Sequence, residues 1–397
     1  MRRILEHLGR SAPEPDARKG AKSNSLSLRA EAEKGFAENM LPMTLIKILR
    51  PVKRFLQRAK RKLLSNSTIR NLRDELNNEI EFEDLRSHEI MLADAIRMNA
   101  YHAAIRRNVN AGDVVVDLGT GTGILSMFAA QQNPKVVHSI DYSKVISVAE
   151  RIASENHFGN IAFHHINSRR FILDESVDVI LHEQIGSALL NEGMVEKTLD
   201  LKKRLLKKSG KILPGKFELF LEPVCVKNDY RIPYLWETRT HGIDFSSAKD
   251  SPESEKCKLA NYNWHPNPRS AVDYFLCDAA PILAFDLNEI GDPTEIPKTM
   301  SASRVVRRHG RMDGFCLYFR VIFDAEVEFD TSPFSPRTHW DNLLFRSESR
   351  QWHEGDAISY TLEIKDRLDI ESWIVRVEGG APGVCPSDGQ MSGFRVK

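Results

Sequence analysis

The feature that most constrains the fold of this chain is a glycine-rich turn that follows a short apolar run. Val114–Leu118 has the length and composition of a buried parallel strand, and Gly119, Gly121 and Gly123 follow it with GxGxG spacing. Glycine is needed where the backbone turns tightly or approaches a ligand closely, because it lacks a Cβ. A helical pattern begins at Ile124. This order of strand, glycine turn and helix predicts an α/β sheet with a ligand at the turn.

Strand and helix patterns alternate around this turn. The predicted elements are a helix over 89–107, the strand over 114–118, a helix over 124–132, a strand over 136–140, a helix over 145–156 and a strand over 177–181. This alternation is typical of a doubly wound α/β sheet. After about Leu221 the chain changes to short β-like runs over 282–285, 315–323, 343–345, 357–364 and 372–377. These runs predict a second, antiparallel β domain.

The chain therefore divides into three predicted parts. They are an N-terminal extension over 1–76, an α/β domain over 77–221 and a β domain over 222–397. The extension starts with a polar, charged tail and continues as a helical pattern, in which eight Lys and Arg residues and no acid lie between Lys47 and Lys62. This basic helix fits a docking surface for an acidic partner or an anionic membrane. It equally fits the solvated face of a helix that packs on its own domain.

Composition excludes several classes of protein. The net charge of +1 gives the molecule no overall field that would require nucleic acid as a partner. The five cysteines are widely spaced, odd in number and form no CxxC pair, which argues against a disulfide scaffold or a structural zinc site and favours a cytoplasmic location. The chain offers no metal-ligand cluster, and no apolar run approaches the roughly 20 residues that span a bilayer.

Acidic residues at the ends of the first two strands indicate what the glycine turn binds. Asp117 lies at the end of the first strand, and Asp141 ends the second, 22 residues after Gly119. A carboxylate at the second position accepts hydrogen bonds from both ribose hydroxyls and repels a 2′-phosphate. The glycine turn alone would also fit a purely structural turn or a nicotinamide site. With both strands, the helix and the acid, the pattern favours a nucleoside-type cofactor.

Two glutamates follow the strand over 177–181. Glu183 comes directly after the strand end, where open α/β sheets bind ligands. Glu192 is nine residues further on, across a loop in which Gly186 would let the chain fold back. Two neighbouring carboxylates raise each other's pKa unless a cation lies between them, and a guanidinium is a planar cation whose donors match two carboxylates. The alternative interpretation is two unrelated surface glutamates.

Four separated motifs resemble those of protein arginine methyltransferases. They are HEIMLADAIR over 88–97, DLGTGTG over 117–123, HEQIGSALLNEGM over 182–194 and SPFSPRTHW over 332–340. The second is similar to the family's cofactor turn, the third to its double-glutamate loop and the fourth to its THW loop. The resemblance runs from about Phe82 to about Ile364. It implies a Rossmann-like domain that binds S-adenosylmethionine, then an antiparallel β-barrel with an inserted helical dimerisation arm at about 228–268.

The resemblance also implies roles for individual residues. The implied cofactor-binding residues are Phe82, His88, Met91, Arg97, Asp117, Gly119, Gly121, Gly123, Asp141, Asn167 and Ser168. Among them, Arg97 would pair with the methionine carboxylate of the cofactor and Asp141 would hold the ribose. Glu183 and Glu192 would grip the substrate guanidinium. His339 would pair with Asp94, while Trp340 and Met194 would line the substrate site.

The chain departs from the family pattern at several positions. Phe82 stands where the family has the second tyrosine of a YFxxY motif, so its ring is kept but the hydroxyl is lost. Ser168 replaces a glutamate that contacts the adenine amino group, and the neighbouring Asn167 is the alternative source of that contact. Gln184 and Ile185 replace the usual Trp-Met pair. These departures concern substrate identity and product pattern more than the reaction itself.

Three functions follow from these patterns. The first is methylation of arginine in a protein or peptide by a homodimeric enzyme that uses S-adenosylmethionine and no metal. The second is methylation of free arginine or another small guanidine in a biosynthetic pathway. The third is a binding module that kept the fold without catalysis. The retained Glu183, Glu192, Arg97, Asp141 and His339 argue against the third.

Overall fold

The computed structural model describes residues 85–230, 239–250 and 264–378. The predicted tail, the basic helix between Lys47 and Lys62, Phe82 and the end of the chain after Glu378 lie outside these described residues. Within the described ranges, no helix is both long enough and apolar enough to cross a membrane.

The first sheet is parallel and has five strands in the order β3-β2-β1-β4-β5. The strands are β1 Val114–Leu118, β2 Val136–Asp141, β3 Ile161–His165, β4 Val177–His182 and β5 Leu206–Leu213. Every residue of β1 is buried, as expected for a central strand covered on both faces. The strand order reverses between β1 and β4, so a crevice opens at their carboxyl ends.

Five α-helices are described. They are α1 Leu85–Leu92, α2 Ala95–Asn108, α3 Ile124–Ala130, α4 Ile146–Glu155 and α5 Met194–Leu205. The single helix predicted over 89–107 is wrong, because α1 and α2 are separate. Asp94 makes the break: its side chain accepts a hydrogen bond from the Arg97 N–H at 3.0 Å and caps α2. Apolar spacing continues through the break and therefore conceals it.

The second half of the chain forms antiparallel sheets. Its strands are β6 Lys216–Val226, β7 Arg239–Thr240, β8 Ile243–Asp244, β9 Trp264–Asn267, β10 Val272–Phe275, β11 Leu283–Asp286, β12 Thr299–Val305, β13 Gly310–Ile322, β14 Glu328–Asp330, β15 Asn342–Trp352, β16 Ala357–Ile364 and β17 Trp373–Glu378. The larger sheet has the order β10-β6-β13-β15-β9, with β11 also paired to β6 and β14 to β13. A three-stranded sheet has the order β12-β16-β17. The predicted α/β core followed by an antiparallel domain is confirmed.

The change between the two sheets comes earlier than the predicted boundary at Leu221. β5 is the last strand of the parallel sheet, and β6 already belongs to the antiparallel one. One hydrophobic core contains residues of both sheets, for example Leu213 of β5 and Phe217 of β6. The two sheets are therefore packed against each other, and the crevice of the first faces loops of the second.

The predicted helical arm over 228–268 falls only partly on described residues. The described parts contain 3₁₀ turns at Asn228–Tyr230 and Ser246–Asp250 and the short hairpin of β7 and β8. The intervening residues 231–238 and 251–263 lie outside the described part of the chain. A helical dimerisation arm therefore stays a prediction.

Candidate active site

The glycine turn between β1 and α3 adopts backbone conformations that require glycine. Gly119 and Gly121 have φ values of 75° and 52°, in the left-handed region. A Cβ on Gly121 would lie 2.8 Å from Cε1 of His88, so a side chain there would collide with the imidazole. His88 is itself buried, on α1. The first helix is thus packed directly over the glycine turn, where the sequence places a cofactor.

Asp141, at the end of β2, is held in one orientation by two backbone donors. Its Oδ2 accepts a hydrogen bond from the Gly121 N–H at 2.9 Å, and its Oδ1 accepts one from the Ser143 N–H at 2.8 Å. A carboxylate offers about four acceptor positions. Two positions therefore remain for hydroxyl groups of a ligand, which is what the predicted ribose contact needs.

Asp117 supports the same turn from inside the protein. It is fully buried, and Oδ2 accepts hydrogen bonds from the hydroxyls of Thr120 at 2.7 Å and Ser126 at 2.6 Å. Burial raises the pKa of the Asp117 carboxyl to about 6, although these two hydroxyls lower it. The second oxygen, Oδ1, has no hydrogen-bond partner among the described residues. Asp117 thus shapes the turn, and its role towards a cofactor stays a prediction.

Asn167 and Ser168 lie just after β3, at the same edge of the sheet as Asp141. Asn167 caps the 3₁₀ turn Ser168–Arg170, because its Oδ1 accepts a hydrogen bond from the Arg169 N–H at 3.0 Å. Both residues are half-buried. Their predicted contact with an adenine amino group is compatible with this location and stays a prediction.

Arg97 connects the cofactor side of the crevice to the acceptor side. Its guanidinium is buried, and Nη1 forms an ion pair with Oε2 of Glu183, whose side chain is 14% exposed. The resemblance to the family implies a further partner for Arg97, the carboxylate of a cofactor, and that contact stays a prediction. Its Nε has no hydrogen-bond acceptor among the described residues. A buried donor of this kind is expected to meet an acceptor from a ligand.

The loop Glu183–Gly193, called the acceptor loop below, folds back on itself as Gly186 suggested. A β-bridge joins Gly186 to Leu189, and the Asn191 side chain accepts a hydrogen bond from the Ala188 N–H at 3.0 Å. Glu192 is half-buried just before α5, and its carbonyl accepts a hydrogen bond from Lys197 Nζ at 3.0 Å. The fold of the loop fits the predicted approach of the two carboxylates, which stays a prediction.

The loop over 332–340, called the cross-sheet loop below, reaches from the antiparallel sheets to the helices. His339 donates its backbone N–H to Oδ2 of Asp94 at 2.8 Å, and its Nδ1 lies 2.9 Å from the same oxygen. Burial favours the neutral form of Asp94, but the hydrogen bonds from His339 and from the Arg97 N–H outweigh it and lower the pKa of the carboxyl. The predicted contact between His339 and Asp94 is present, and its catalytic role stays a prediction.

Trp340 and Met194 are both buried. Trp340 is 4% exposed, its indole N–H donates to the carbonyl of Ile185 at 2.8 Å, and its ring stacks on Phe329. Met194 is fully buried at the start of α5. Trp340 thus supports the acceptor loop from the core, and both residues belong to the hydrophobic core. Their predicted contacts with a substrate stay predictions. Met91 remains half-exposed on α1.

Two residues near the site are not among those that the sequence predicts to belong to it. Tyr101 is fully buried on α2, one turn after Arg97, and donates its hydroxyl to the carbonyl of His182 at 3.0 Å. Its helical spacing from Arg97 is a signal that could have revealed it. Arg269 holds the cross-sheet loop by donating to the carbonyls of Ser332 and Pro336. It lies more than 60 residues away in the chain, and no local pattern indicates that contact.

An open parallel sheet, a glycine turn beside the carboxylate of Asp141 and an appended antiparallel domain are typical of the α/β class of proteins that bind a nucleoside-type cofactor. The methyltransferase domain model matches residues 109–249, and the arginine methyltransferase oligomerization subdomain model matches residues 218–372. Protein arginine N-methyltransferase 6 of Danio rerio is 32% identical over 272 residues, which is 66% of this chain and 76% of that protein. The chain belongs to the protein arginine N-methyltransferase family.

Other relatives agree with this assignment. Protein arginine N-methyltransferase 2 of Xenopus tropicalis is 30% identical over 291 residues, or 70% of this chain and 66% of that protein. The solved enzyme–prozyme heterotetrameric complex of Trypanosoma brucei PRMT1 with AdoHcy is similar with a TM-score of 0.65 and 25% identity, covering 79% of this chain and 97% of that one. Arabidopsis thaliana protein arginine methyltransferase 10 shares the fold, with a TM-score of 0.61 and 21% identity, covering 75% of this chain and 93% of that one.

Proposed function

We propose that this enzyme transfers a methyl group from S-adenosylmethionine to a guanidinium nitrogen of arginine in a protein or peptide, and that Glu183 and Glu192 hold that guanidinium. The observation that carries the proposal is the ion pair between Glu183 and Arg97. Glu183 already binds a guanidinium, in a setting where both side chains are largely shielded from water. This pairing supports a guanidinium-binding role for the carboxylate at this strand end.

The residues around the glycine turn fit S-adenosylmethionine. Asp141 has acceptor positions left for ribose hydroxyls, and the buried Nε of Arg97 can donate to a carboxylate. His88 packs directly over Gly121. When bound, the cofactor supplies an electrophilic methyl group on a sulfonium. These contacts support binding of its ribose and methionine ends beside Glu183.

The task of the two glutamates follows from the chemistry of the acceptor. A guanidinium nitrogen is a poor nucleophile, because its positive charge is delocalised and its pKa is about 13.8. Carboxylates at Glu183 and Glu192 would localise the charge on the nitrogens they bind and leave lone-pair character on the nitrogen that reacts. They would also fix its approach, and positioning of this kind contributes up to roughly 7–11 kcal/mol in favourable cases. Glu183, Glu192 or the His339–Asp94 pair would accept the proton.

Separate variants test the two ends of the site. We expect Glu192→Gln to abolish turnover and to leave S-adenosylhomocysteine affinity within about two-fold in calorimetry, because the change affects only acceptor binding. Asp141→Ala should do the reverse and weaken S-adenosylhomocysteine binding first. Glu175→Gln is the matched control, since Glu175 pairs with the exposed Lys135 on the surface. Loss of S-adenosylhomocysteine affinity in Glu192→Gln would contradict the assignment of Glu192.

The class of acceptor needs its own experiment. We expect labelled S-adenosylmethionine to modify an arginine-rich protein, and mass spectrometry to locate the added methyl groups on arginine side chains. Efficient methylation of free arginine with no modification of protein would instead support a biosynthetic enzyme for small guanidines. The mass and fragmentation of the product would also distinguish monomethylarginine from dimethylarginine.

We also propose that the enzyme is a cytoplasmic homodimer. The match of residues 218–372 to the oligomerization subdomain supports the dimer. Cys225, Cys277 and Cys316 are buried and free, which supports a reducing compartment. Light scattering coupled to size-exclusion chromatography tests the oligomeric state.

A further inference from the structure

Gln184 packs against the glycine turn from the acceptor loop. Its Nε2 would lie 3.1 Å from a Cβ on Gly119, and its Cδ and Cγ would each lie 3.6 Å from it. Gly119 itself has a φ of 75°. The side-chain amide of Gln184 thus lies beside Gly119, the residue that follows β1, at the point where the strand order reverses.

The oxygen of this amide is buried without a partner. Oε1 of Gln184 has no hydrogen bond from any residue that the structure describes, although solvent does not reach it. An unpaired buried acceptor lowers stability, and such groups in folded proteins usually have a specific purpose. Gln184 therefore needs a donor that the described chain does not provide.

A second unpaired group complements it. Nε of Arg97 is a buried donor with no acceptor among the described residues. Glu183 links the two: its carboxylate contacts Arg97, and Gln184 is the next residue in the chain. An unpaired donor offers a hydrogen bond to a carboxylate and an unpaired acceptor offers one to an ammonium, and these are the two charged groups of an α-amino acid.

We propose that the amide oxygen of Gln184 accepts a hydrogen bond from the α-ammonium group of the methionine part of S-adenosylmethionine, and so positions the cofactor in this enzyme. The inference rests on the proposed function, which puts that cofactor at the glycine turn. The family's usual tryptophan at this position carries only an N–H donor and cannot accept such a bond. Gln184 therefore gives this chain a contact that an indole does not supply.

The test compares two ligands in binding experiments without turnover. S-adenosylhomocysteine carries the amino acid group, and 5′-methylthioadenosine lacks it. We expect Gln184→Met to weaken S-adenosylhomocysteine binding about ten-fold in calorimetry and to leave 5′-methylthioadenosine affinity within two-fold, because only the first ligand has an ammonium. Gln184→Glu keeps an acceptor at the same place and should retain S-adenosylhomocysteine binding. Gln132→Met is the matched control, since Gln132 lies beyond the end of α3 and donates to the Phe128 carbonyl.

Each contrary outcome has a distinct meaning. Equal weakening of both ligands, or unchanged S-adenosylhomocysteine affinity in Gln184→Met, would overturn this inference and leave the proposed function in place. A raised KM for the arginine substrate with unchanged cofactor affinity would assign Gln184 to the guanidinium, and would also overturn it. A wild-type protein that binds neither ligand would overturn the proposed function itself. Retained 5′-methylthioadenosine binding in Gln184→Met excludes misfolding as the reason for a loss of S-adenosylhomocysteine affinity in that variant.

Discussion

His182 is an imidazole enclosed entirely by protein at the end of β4. Its Nε2 donates to the carbonyl of Pro214 at 2.9 Å, and its Nδ1 has no partner among the described residues. Burial lowers the pKa of His182 from 6.5 to about 4, although the hydrogen bond to Pro214 opposes this. The residue immediately before Glu183 is therefore neutral at physiological pH.

This pKa predicts a pH dependence of stability. Below pH 6.5 the unfolded chain takes up a proton at His182 that the folded chain takes up only near pH 4, so stability falls with falling pH across that window. The free energy of unfolding of the wild type relative to His182→Asn should decrease by about 2 kcal/mol between pH 7 and pH 5. Urea titrations of both proteins at each pH measure this difference. The contributions of all other titrating groups are the same in both proteins and cancel in the comparison. Parallel pH profiles would contradict the prediction.

At the scale of elements, short loops that are distant in sequence depend on each other. The acceptor loop is supported by Trp340 of the cross-sheet loop, and the cross-sheet loop is held by Asp94 at the start of α2. The single carboxylate of Asp94 therefore both caps α2 and binds His339. The position of Glu183 is in this way coupled to the antiparallel sheets.

Replacing Trp340 tests this support. Trp340→Phe keeps an aromatic ring and removes the bond to the Ile185 carbonyl, and we expect it to lower kcat/KM for the arginine substrate about ten-fold through displacement of the acceptor loop. Trp373→Phe is the matched control, because Trp373 is equally buried and donates its indole N–H to the Asp366 carbonyl at 2.9 Å. Both variants should lose about 1 kcal/mol of stability. Equal activity in the two variants would show that Trp340 does not position the site.

At the scale of the whole molecule, Lys202 joins the two halves of the chain. It lies on α5, which packs on the parallel sheet, and its ammonium donates to the carbonyls of Leu287 at 2.8 Å, Asn288 at 2.6 Å and Ile290 at 2.8 Å. These carbonyls follow β11 of the antiparallel domain. The three hydrogen bonds from the Lys202 ammonium thus fix the position of α5 relative to the segment after β11. Apolar contacts are not directional and would define this position less well.

We expect Lys202→Met to destabilise the protein by about 2 kcal/mol, because three carbonyls lose a charged donor. Lys207→Met is the control, since Lys207 forms an exposed ion pair with Asp178, and such pairs contribute less than about 1 kcal/mol. Thermal or urea unfolding measures both losses. If Lys202→Met is as stable as Lys207→Met, the hydrogen bonds of Lys202 do not contribute to the stability of the protein.

The sequence by itself determined the parts of this protein that depend on local pattern. β1 and β16 have the predicted bounds, and the glycine turn lies where its spacing indicated. Periodic burial and the need for glycine at positive φ are local properties, so one segment suffices to reveal them. The sequence does not predict β3 and β5, because burial does not alternate along β3 and the first half of β5 is polar and exposed.

Only the tertiary structure decided how the site is assembled. Asp94 and His339 are 245 positions apart, and Arg97 and Glu183 are 86 apart. Without the resemblance to a family, no spacing within either segment would pair them, because such contacts arise when a helix packs against loops that are distant in the chain. The residue type alone does not reveal whether a side chain is buried. The structure places Trp340 and Met194 in the core. It also leaves the buried amide oxygen of Gln184 without a hydrogen-bond partner among the described residues.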